Sequence, residues 1–359
     1  EACGGGRALS GRSGQGRGMY VGRGPHGVTW PVRVDPTGAA GPTRHDTTTA
    51  RWRRSSRGLF VPADVVRTPA QRVAEAGATI TSDRVAVTGW AALCWRGSRW
   101  ATGVRRDGSL RPVDLVAESQ VLRAQAGTRL CQEHTDPSAV EVVDGLRLTS
   151  AVSAVCFAMR YADSPADAVE VLDMAYRADL VSPTEVDACL AGHPGRRGLP
   201  QARAAWRLGD ENSWSPQETH ARLAWEQVTG ARPLTNRPVF DLAGRHLGTP
   251  DLVDPATGVC GEYDGDHHLT RQQRRRDLAR EQLLLDHGLQ PFVVVGGDLG
   301  ATFSSRLTSA LSRAERATGP RRWTLDQPDW WVDTSTVERR RALQGVEREI
   351  WLGPRRSAG

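Results

Sequence analysis

Hydrophobic and polar positions change their spacing along the chain, and this change predicts its regions. Between residues 46 and 148, short apolar runs alternate with turn residues, which predicts strands at 110–116, 140–143 and 146–148. From Thr149 onward, apolar residues recur every three or four positions, which predicts amphipathic helices starting near residues 150, 164, 182 and 200. The first region is therefore predicted to be rich in β-structure and the second to be helical.

Serine residues mark several of the predicted helix starts. Ser164, Ser182 and Ser215 each precede a proline, and a glutamate stands three positions after Ser182 and after Ser215. A serine N-cap, a proline at the first helical position and a glutamate at the third form a capping box. Helices are therefore expected to begin at these serines, and the last of them to run to about Thr229.

Helices and strands alternate in the C-terminal third of the chain. The pattern predicts, in order, a helix, an approach strand, a hairpin at 248–264, a long helix at 269–287, a buried strand at 291–295 and a final helix. The expected fold class is α/β, or α+β over the whole chain. Five segments are predicted: a disordered Gly/Arg-rich segment 1–45, a β-rich region 46–148, a helical spacer 149–212, an α/β domain 213–319 and a tail 320–359 that ends in a helix.

The predicted hairpin contains several acidic side chains. Its turn spans Asp254 to Gly258, and pairing of Asp254 with Val259 would place Asp251 directly opposite Glu262. Side chains alternate along a strand, so Glu262 and Asp264 share one face. Carboxylates this close repel each other, and a hard divalent cation such as Mg²⁺ would relieve the repulsion.

The hairpin residues resemble the PD-(D/E)xK nuclease superfamily. Pro250-Asp251, the turn and Glu262-x-Asp264 stand where that family has Pro-Asp and Glu-x-Lys, and the run on to His268 is similar to very-short-patch repair endonucleases and the DUF559 proteins. The resemblance implies a restriction-endonuclease-like αβββαβ core within 213–319. It also implies a metal-dependent DNA endonuclease, acting in repair or phage defence, with Mg²⁺ or Mn²⁺ as cofactor and DNA as partner.

The resemblance also implies roles for single residues, with one departure from the family pattern. Asp251 and Glu262 would bind the metal, helped by the backbone carbonyl of Tyr263. The chain contains no lysine, so His268 or His267 would act as the general base. Asp264 occupies the position of the missing lysine and would either orient a histidine or bind the metal.

Two further sets of residues near the hairpin have alternative interpretations. Glu218 either caps its helix or reaches the metal site, and the two roles are compatible. Five arginines of the long helix either grip a phosphodiester backbone or form a solvated face: Arg271, Arg274, Arg275, Arg276 and Arg280. In the second case Arg276 and Arg280 would pair locally with Asp277 and Glu281.

The N-terminal half carries a second resemblance. Arginines flank the run Gly58-Leu59-Phe60-Val61-Pro62, which is similar to the wing of a winged helix in AbiEi-type antitoxin and regulator proteins. Arg51, Arg53 and Arg54 would then neutralise DNA phosphates; alternatively they belong to a solvated strand. This resemblance supports an alternative function, a DNA-binding regulator with a catalytically degenerate nuclease fold.

Composition limits the remaining possibilities. The 47 basic residues, all arginine, exceed the 41 acidic ones by six, which permits a nucleic-acid partner. The six cysteines show no CxxC spacing and predict neither a zinc site nor a disulfide framework. No apolar run reaches the length of a membrane span, so a cytoplasmic protein without a membrane partner is expected. The tail tryptophans at 323, 330 and 331 are expected to pin the tail onto the domain surface.

Overall fold

The chain divides into two compact units, residues 1–79 and 80–359. The computed structural model describes residues 25–119, 123, 125–264, 271–295 and 299–353. Both units contain helices and strands, which confirms the predicted mixed α/β class. Within the described ranges, no helix is long and apolar enough to cross a membrane.

The first unit is built around one hairpin and one helix. Strands β1 (Trp52–Ser56) and β2 (Leu59–Pro62) pair antiparallel, with an irregularity between Arg54 and Ser56. Helix α1 (Pro69–Gly77) follows and is capped by Thr68. The described residues ahead of the hairpin contain two short 3-10 turns, and no α-helix precedes the hairpin there.

Residues 25–45 differ from the predicted disordered segment. Val28 is buried, and Val32 forms a β-bridge with Phe60 of the hairpin. The side-chain amide of Gln71 bonds both backbone groups of Thr29, at 2.9 and 2.8 Å. The partners of these residues follow them in the chain, at Phe60 and Gln71. Residues 1–24 lie outside the described residues.

A five-stranded mixed sheet opens the second unit. Its strand order is β5-β4-β3-β7-β6. Helix α2 (Gly89–Trp95) follows β3 directly and starts at Gly89, whose φ is +60°. The five strands are β3 (Val85–Thr88), β4 (Val113–Ala117), β5 (Thr128–Gln132), β6 (Val140–Val143) and β7 (Leu146–Thr149).

Four helices follow the sheet, as the apolar spacing predicts. Ser150, Ser164 and Ser182 each accept a hydrogen bond from the backbone N–H three residues later. The capping box of Ser182 and Glu185 is complete in both directions. The helices are α3 (Ala151–Arg160), α4 (Pro165–Arg177), α5 (Pro183–Ala191) and α6 (Leu199–Leu208).

The C-terminal part contains two small sheets and five helices within the described residues. In one sheet the order is β13-β12-β11-β8; in the other it is β10-β9-β14. The helices are α7 (Pro216–Thr229), α8 (Arg271–Asp286), α9 (Ala301–Arg316), α10 (Val337–Ala342) and α11 (Gly345–Leu352). The strands are β8 (Leu234–Thr235), β9 (Val239–Asp241), β10 (His246–Gly248), β11 (Leu252–Val253), β12 (Val259–Asp264), β13 (Gln290–Val295) and β14 (Trp323–Thr324).

The two strands of the carboxylate hairpin, β11 and β12, are the central strands of the four-stranded sheet. β12 pairs parallel with β13, and α8 connects them. Phe292 and Val294 of β13 pack with Trp225 of α7 and Phe303 of α9 in one apolar core. Helices therefore support the sheet that presents the hairpin.

The tail is anchored through its tryptophans. Trp323 is buried in an apolar cluster with Val239, and its strand β14 pairs with β9. The rings of Trp330 and Trp331 lie with their centroids 6.0 and 5.2 Å from that of Phe240. These contacts match the expectation that the tryptophans pin the tail onto the domain.

We expect Gly258→Ala to destabilise the protein. Gly258 has φ +74°, a left-handed conformation that costs an L-residue about 1–2 kcal/mol, and a Cβ there would approach the Trp323 ring to 2.9 Å. Urea unfolding should show the loss, while Gly319→Ala, where the space is open, should stay within about 0.5 kcal/mol of wild type. Equal stability of the two variants would contradict the predicted strain.

Candidate active site

The hairpin has the register predicted from its turn. Leu252 pairs with Gly261 and Val253 with Cys260. The backbone N–H of Asp254 donates to the carbonyl of Val259 at 2.9 Å. Continued by one residue, this register places residue 251 opposite residue 262, on the two central strands of the sheet.

Asp251 is held against the neighbouring strand by its carboxylate. The backbone N–H of Tyr263 donates to Asp251 Oδ2 at 2.7 Å. Removal from water, followed by the negative charges of Glu218 and Glu262, raises the pKa of Asp251 well above its ordinary value. The Tyr263 N–H and the charge of Arg280 act in the opposite direction. Burial and the nearby negative charges therefore both disfavour the ionised form of Asp251.

Glu218 lies in the first turn of α7, and its negative charge acts on Asp251. Its backbone N–H is capped by Ser215 at 3.2 Å, but its carboxylate accepts hydrogen bonds from the Trp214 N–H at 2.8 Å and the Asn236 side chain at 2.6 Å. Burial raises the pKa of Glu218, and these hydrogen bonds oppose the rise. Ser215 is therefore the N-cap of α7. The Glu218 carboxylate bonds Trp214 and Asn236, whereas the carboxylate of Glu185 bonds back to its own N-cap.

Asn236 connects Glu218 to Asp251. Its backbone N–H donates to the carbonyl of Asp251 at 2.9 Å, while its side-chain Nδ2 donates to Glu218 and to the carbonyl of Asn212. Asn236 has a positive φ of 46°, a conformation that asparagine tolerates better than most residues. Its Oδ1 is buried and has no hydrogen-bond partner among the described atoms. Sequence reasoning missed this residue, because its role depends on a turn that brings it to the site.

Glu262 forms an ion pair with Arg280 of α8. The sequence predicted that Arg280 either grips a phosphodiester backbone or pairs along its own helix, whereas its guanidinium pairs with Glu262 on β12. The pair places a fixed positive charge beside the carboxylates in a chain that has no lysine. Sequence reasoning missed this contact, which depends on how α8 packs against the sheet.

Several predicted site residues fall outside what the structure describes. His267 and His268 lie outside the described residues. Asp264 ends β12, where its backbone pairs with Val295, and its side chain is outside the described part. The same holds for the side chains of Arg271 and Arg274 in the first turns of α8, whereas Arg275 is exposed there.

The predicted DNA-binding arginines of the first unit differ in their partners. Arg53 forms two hydrogen bonds with the carboxylate of Glu75, at 3.0 and 2.6 Å. Its guanidinium is committed to this ion pair, so the expectation that Arg53 binds phosphate is not supported. Arg51 and Arg54 are both exposed. The Nε of Arg54 donates a hydrogen bond to the carbonyl of Ser56 at 3.3 Å.

A second group of possible metal ligands lies away from the hairpin. In the described part of the chain, one oxygen each of Asp167 and Glu170 and one nitrogen of His220 lie within 4.8 Å of one another. His220 Nε2 is 2.8 Å from Glu170, and Arg106 forms ion pairs with both carboxylates at 3.6 and 3.8 Å. An imidazole with two carboxylates suits a transition metal rather than Mg²⁺, and Arg106 already offsets the negative charge.

Asp167 and Glu170 also border a large cavity. Aromatic side chains from Trp90, Trp100 and Phe157 line it as well. The three-residue spacing of the two acids is a signal that they share one face of α4. No signal in the sequence indicates that His220 of α7 faces them, because that contact depends on the packing of two distant helices.

Comparisons with protein-family models, with curated proteins and with solved structures find no match for this chain. Its candidate chemistry lies in the carboxylates of the two central strands and in the groups beside them.

Proposed function

We propose that this protein is a metal-dependent DNA endonuclease that hydrolyses phosphodiester bonds. The observation that carries the proposal is that the hairpin register places Asp251 opposite Glu262 on the two central strands of one sheet, while the negative charge of Glu218 from α7 also acts on Asp251. A hairpin that serves only stability gains nothing from this arrangement, because like charges at such positions repel. With β9 and β10 set apart in the other sheet, the order α7, β8, β11, β12, α8, β13 also fits the αβββαβ core that the resemblance implies.

The donor set fits a hard divalent cation. Carboxylate oxygens are the protein ligands that Mg²⁺ prefers, and Mn²⁺ accepts the same set. Burial, followed by the negative charges of Glu218 and Glu262, raises the pKa of Asp251, so a cation beside it would favour the ionised form. The orphaned, buried Oδ1 of Asn236 adds unused acceptor capacity next to Glu218. We assign Asp251 and Glu262 as the residues that hold the ion.

The neighbouring groups of the chain would position these ligands. Bound Mg²⁺ supplies polarisation of the scissile phosphate and a more acidic water. The Tyr263 N–H fixes the orientation of Asp251, and Asn236 fixes that of Glu218. Arg280 holds Glu262 and brings a positive charge to where a phosphate would lie.

Proton transfer is assigned to the segment that follows β12. His267 or His268 would take the proton of the attacking water on a ring nitrogen, since the ordinary pKa of histidine suits a base at neutral pH. Asp264 would orient that ring or add a ligand. These three assignments rest on the sequence alone.

DNA is the partner that the charge of α8 favours. Arg271, Arg274 and Arg275 are spaced to share one face of a helix, and Arg275 is exposed. They would neutralise phosphates on the duplex beside the carboxylates, and binding should weaken as salt rises.

The test is nicking of supercoiled plasmid DNA by the full chain. We expect relaxed circles with Mg²⁺ or Mn²⁺, and none with EDTA or without added metal. Substrates with a mismatch beside matched duplexes would then separate a repair role from a phage-defence role. Absence of cutting with either metal, under conditions where the protein binds the plasmid, would exclude the endonuclease.

A second candidate function is DNA binding without cleavage, as in an antitoxin-type regulator. The ion pair between Arg280 and Glu262 favours it, because a guanidinium there supplies positive charge by itself. The exposed Arg51 and Arg54 on the hairpin of the first unit would add phosphate contacts. This function predicts salt-dependent retention of DNA that metal does not change, and no nicking.

A further inference from the structure

Two cysteines far apart in the sequence meet in the helical region. Cys156 of α3 is buried and Cys189 of α5 is half-buried, and both are free thiols. Their side chains border one small cleft together with Ser153 and His193. The spacing of the cysteines gave no sign of this contact, which arises from the packing of α3 against α5.

The surroundings favour negative charge on Cys189. His193 Nδ1 lies 2.8 Å from the Cys189 carbonyl, so this nitrogen carries the proton, and it lies 4.0 Å from the Cys189 sulfur. Arg160 and Arg196 share the single carboxylate of Glu133, which leaves one positive charge in excess beside the cleft. Both features stabilise a thiolate.

The two thiols therefore differ in pKa. The neighbouring Cys156 thiol, with help from the charges of His193 and Arg196, lowers the pKa of Cys189 to about 6 although burial opposes it. The interaction with Cys189 and burial raise the pKa of Cys156, which keeps its proton. At neutral pH the half-exposed sulfur is the nucleophile and the buried one remains a thiol.

We propose that Cys189 is a peroxide-reactive residue and that Cys156 resolves its oxidised form into an intramolecular disulfide between α5 and α3. This modification site is independent of the carboxylate hairpin and of the nuclease function.

The chemistry balances with hydrogen peroxide as the oxidant. The Cys189 thiolate attacks one peroxide oxygen, the O–O bond breaks, and the sulfur becomes a sulfenic acid while hydroxide leaves and takes a proton to form water. The Cys156 sulfur then attacks the Cys189 sulfur and loses its proton. The S–O bond breaks, a second water leaves, and the S–S bond forms. Two thiols are oxidised and one peroxide is reduced.

Cys131 provides a matched comparison. It is half-buried like Cys189, but burial and the charge of Asp114 raise its pKa. These different surroundings predict that Cys189 is oxidised in preference to Cys131.

The experiment is peptide mapping of the native full chain after brief treatment with one equivalent of hydrogen peroxide. In wild type we expect a disulfide-linked peptide pair containing Cys156 and Cys189, with Cys131 still reduced. In Cys156→Ser, dimedone should label Cys189 as a trapped sulfenic acid. In Cys189→Ser, Cys156 should remain reduced.

Two results would overturn the proposal. One is equal oxidation of Cys131 and Cys189 in the native wild-type protein. The other is the absence of the Cys156–Cys189 link while other cysteines oxidise. Circular dichroism establishes whether each serine variant is folded. If a variant does not fold, the peptide map of the wild-type protein alone tests the proposal. In urea the selectivity should disappear, because it depends on His193 and Arg196 being held beside the cleft.

Discussion

Asp251→Asn and Glu262→Gln should each lower metal-dependent plasmid nicking by more than about 100-fold, since loss of residues that only support a metal ligand already costs about 10- to 100-fold. Both substitutions keep the size of the side chain and remove its charge. The asparagine introduced by the first would still offer an oxygen to the Tyr263 N–H, so the hairpin should keep its register. The loss would then report the missing charge at the metal, measured as the initial rate of supercoiled DNA loss.

Stability measurements separate this effect from unfolding. Burial and the nearby negative charges raise the pKa of Asp251 and so destabilise its ionised form, and Asp251→Asn should therefore melt no lower than wild type. Glu281→Gln is the matched control, because Glu281 is an exposed acid on α8 next to Arg280. It should nick like wild type. Full activity in Asp251→Asn and Glu262→Gln would refute the site, and a lower melting temperature with lost activity would assign these residues to folding.

Local signals in the sequence predict this fold where neighbouring residues decide it. The turn from Asp254 to Gly258 fixes its own hairpin register, and a register fixes which carboxylates face each other. The serine caps fix the starts of α3, α4, α5 and α7, because the cap bonds only the next turn of the chain. These predictions needed no knowledge of tertiary packing.

Contacts between distant elements were not predictable in the same way. The direction of Arg280 depends on the rotation of α8 against β12, and that helix has no apolar stripe strong enough to fix its rotation from sequence. Ordering of residues 25–45 depends on Phe60 and Gln71, which follow them in the chain. The meeting of Cys156 with Cys189 has the same cause. Pairing across the fold leaves no periodic signal in a single sequence.

A buried ion pair joins the helical region to the helix that carries Glu218. Asp173 of α4 and Arg222 of α7 have fully buried side chains, and their charged atoms are 3.0 Å apart. Asp173 also accepts hydrogen bonds from the Asp210 N–H at 2.7 Å and the Thr219 hydroxyl at 2.9 Å. This network fixes α7 against α4, and thereby holds Glu218 at the candidate site.

Arg222→Met should reduce the free energy of unfolding by about 3–5 kcal/mol, because it keeps the aliphatic volume and leaves the Asp173 carboxylate buried without its counter-charge. Burial raises the pKa of Asp173 to about 6, above its unfolded value, and Arg222 is the main group that limits this rise. Because the pKa of Asp173 is higher in the folded than in the unfolded state, its protonation adds to the free energy of unfolding. This contribution is complete below the unfolded-state pKa and is lost as pH rises through the folded-state pKa. Without Arg222 that pKa rises further, so the variant should lose more stability than wild type between pH 5 and pH 8.

Urea unfolding of wild type and Arg222→Met at pH 5 and at pH 8 measures both effects. Arg232→Met is the matched control, because Arg232 is more than a third exposed and pairs with Asp210 and Glu226 of the same network at 3.5 and 3.6 Å. Exposed pairs contribute about 0–1 kcal/mol, so the control should lose little at either pH. A loss below about 1 kcal/mol in Arg222→Met would show that the buried pair does not fix α7 against α4, and the same loss at both pH values would contradict the predicted titration of Asp173. If the pair does fix α7, nicking by Arg222→Met should fall together with its stability, because Glu218 then loses its support.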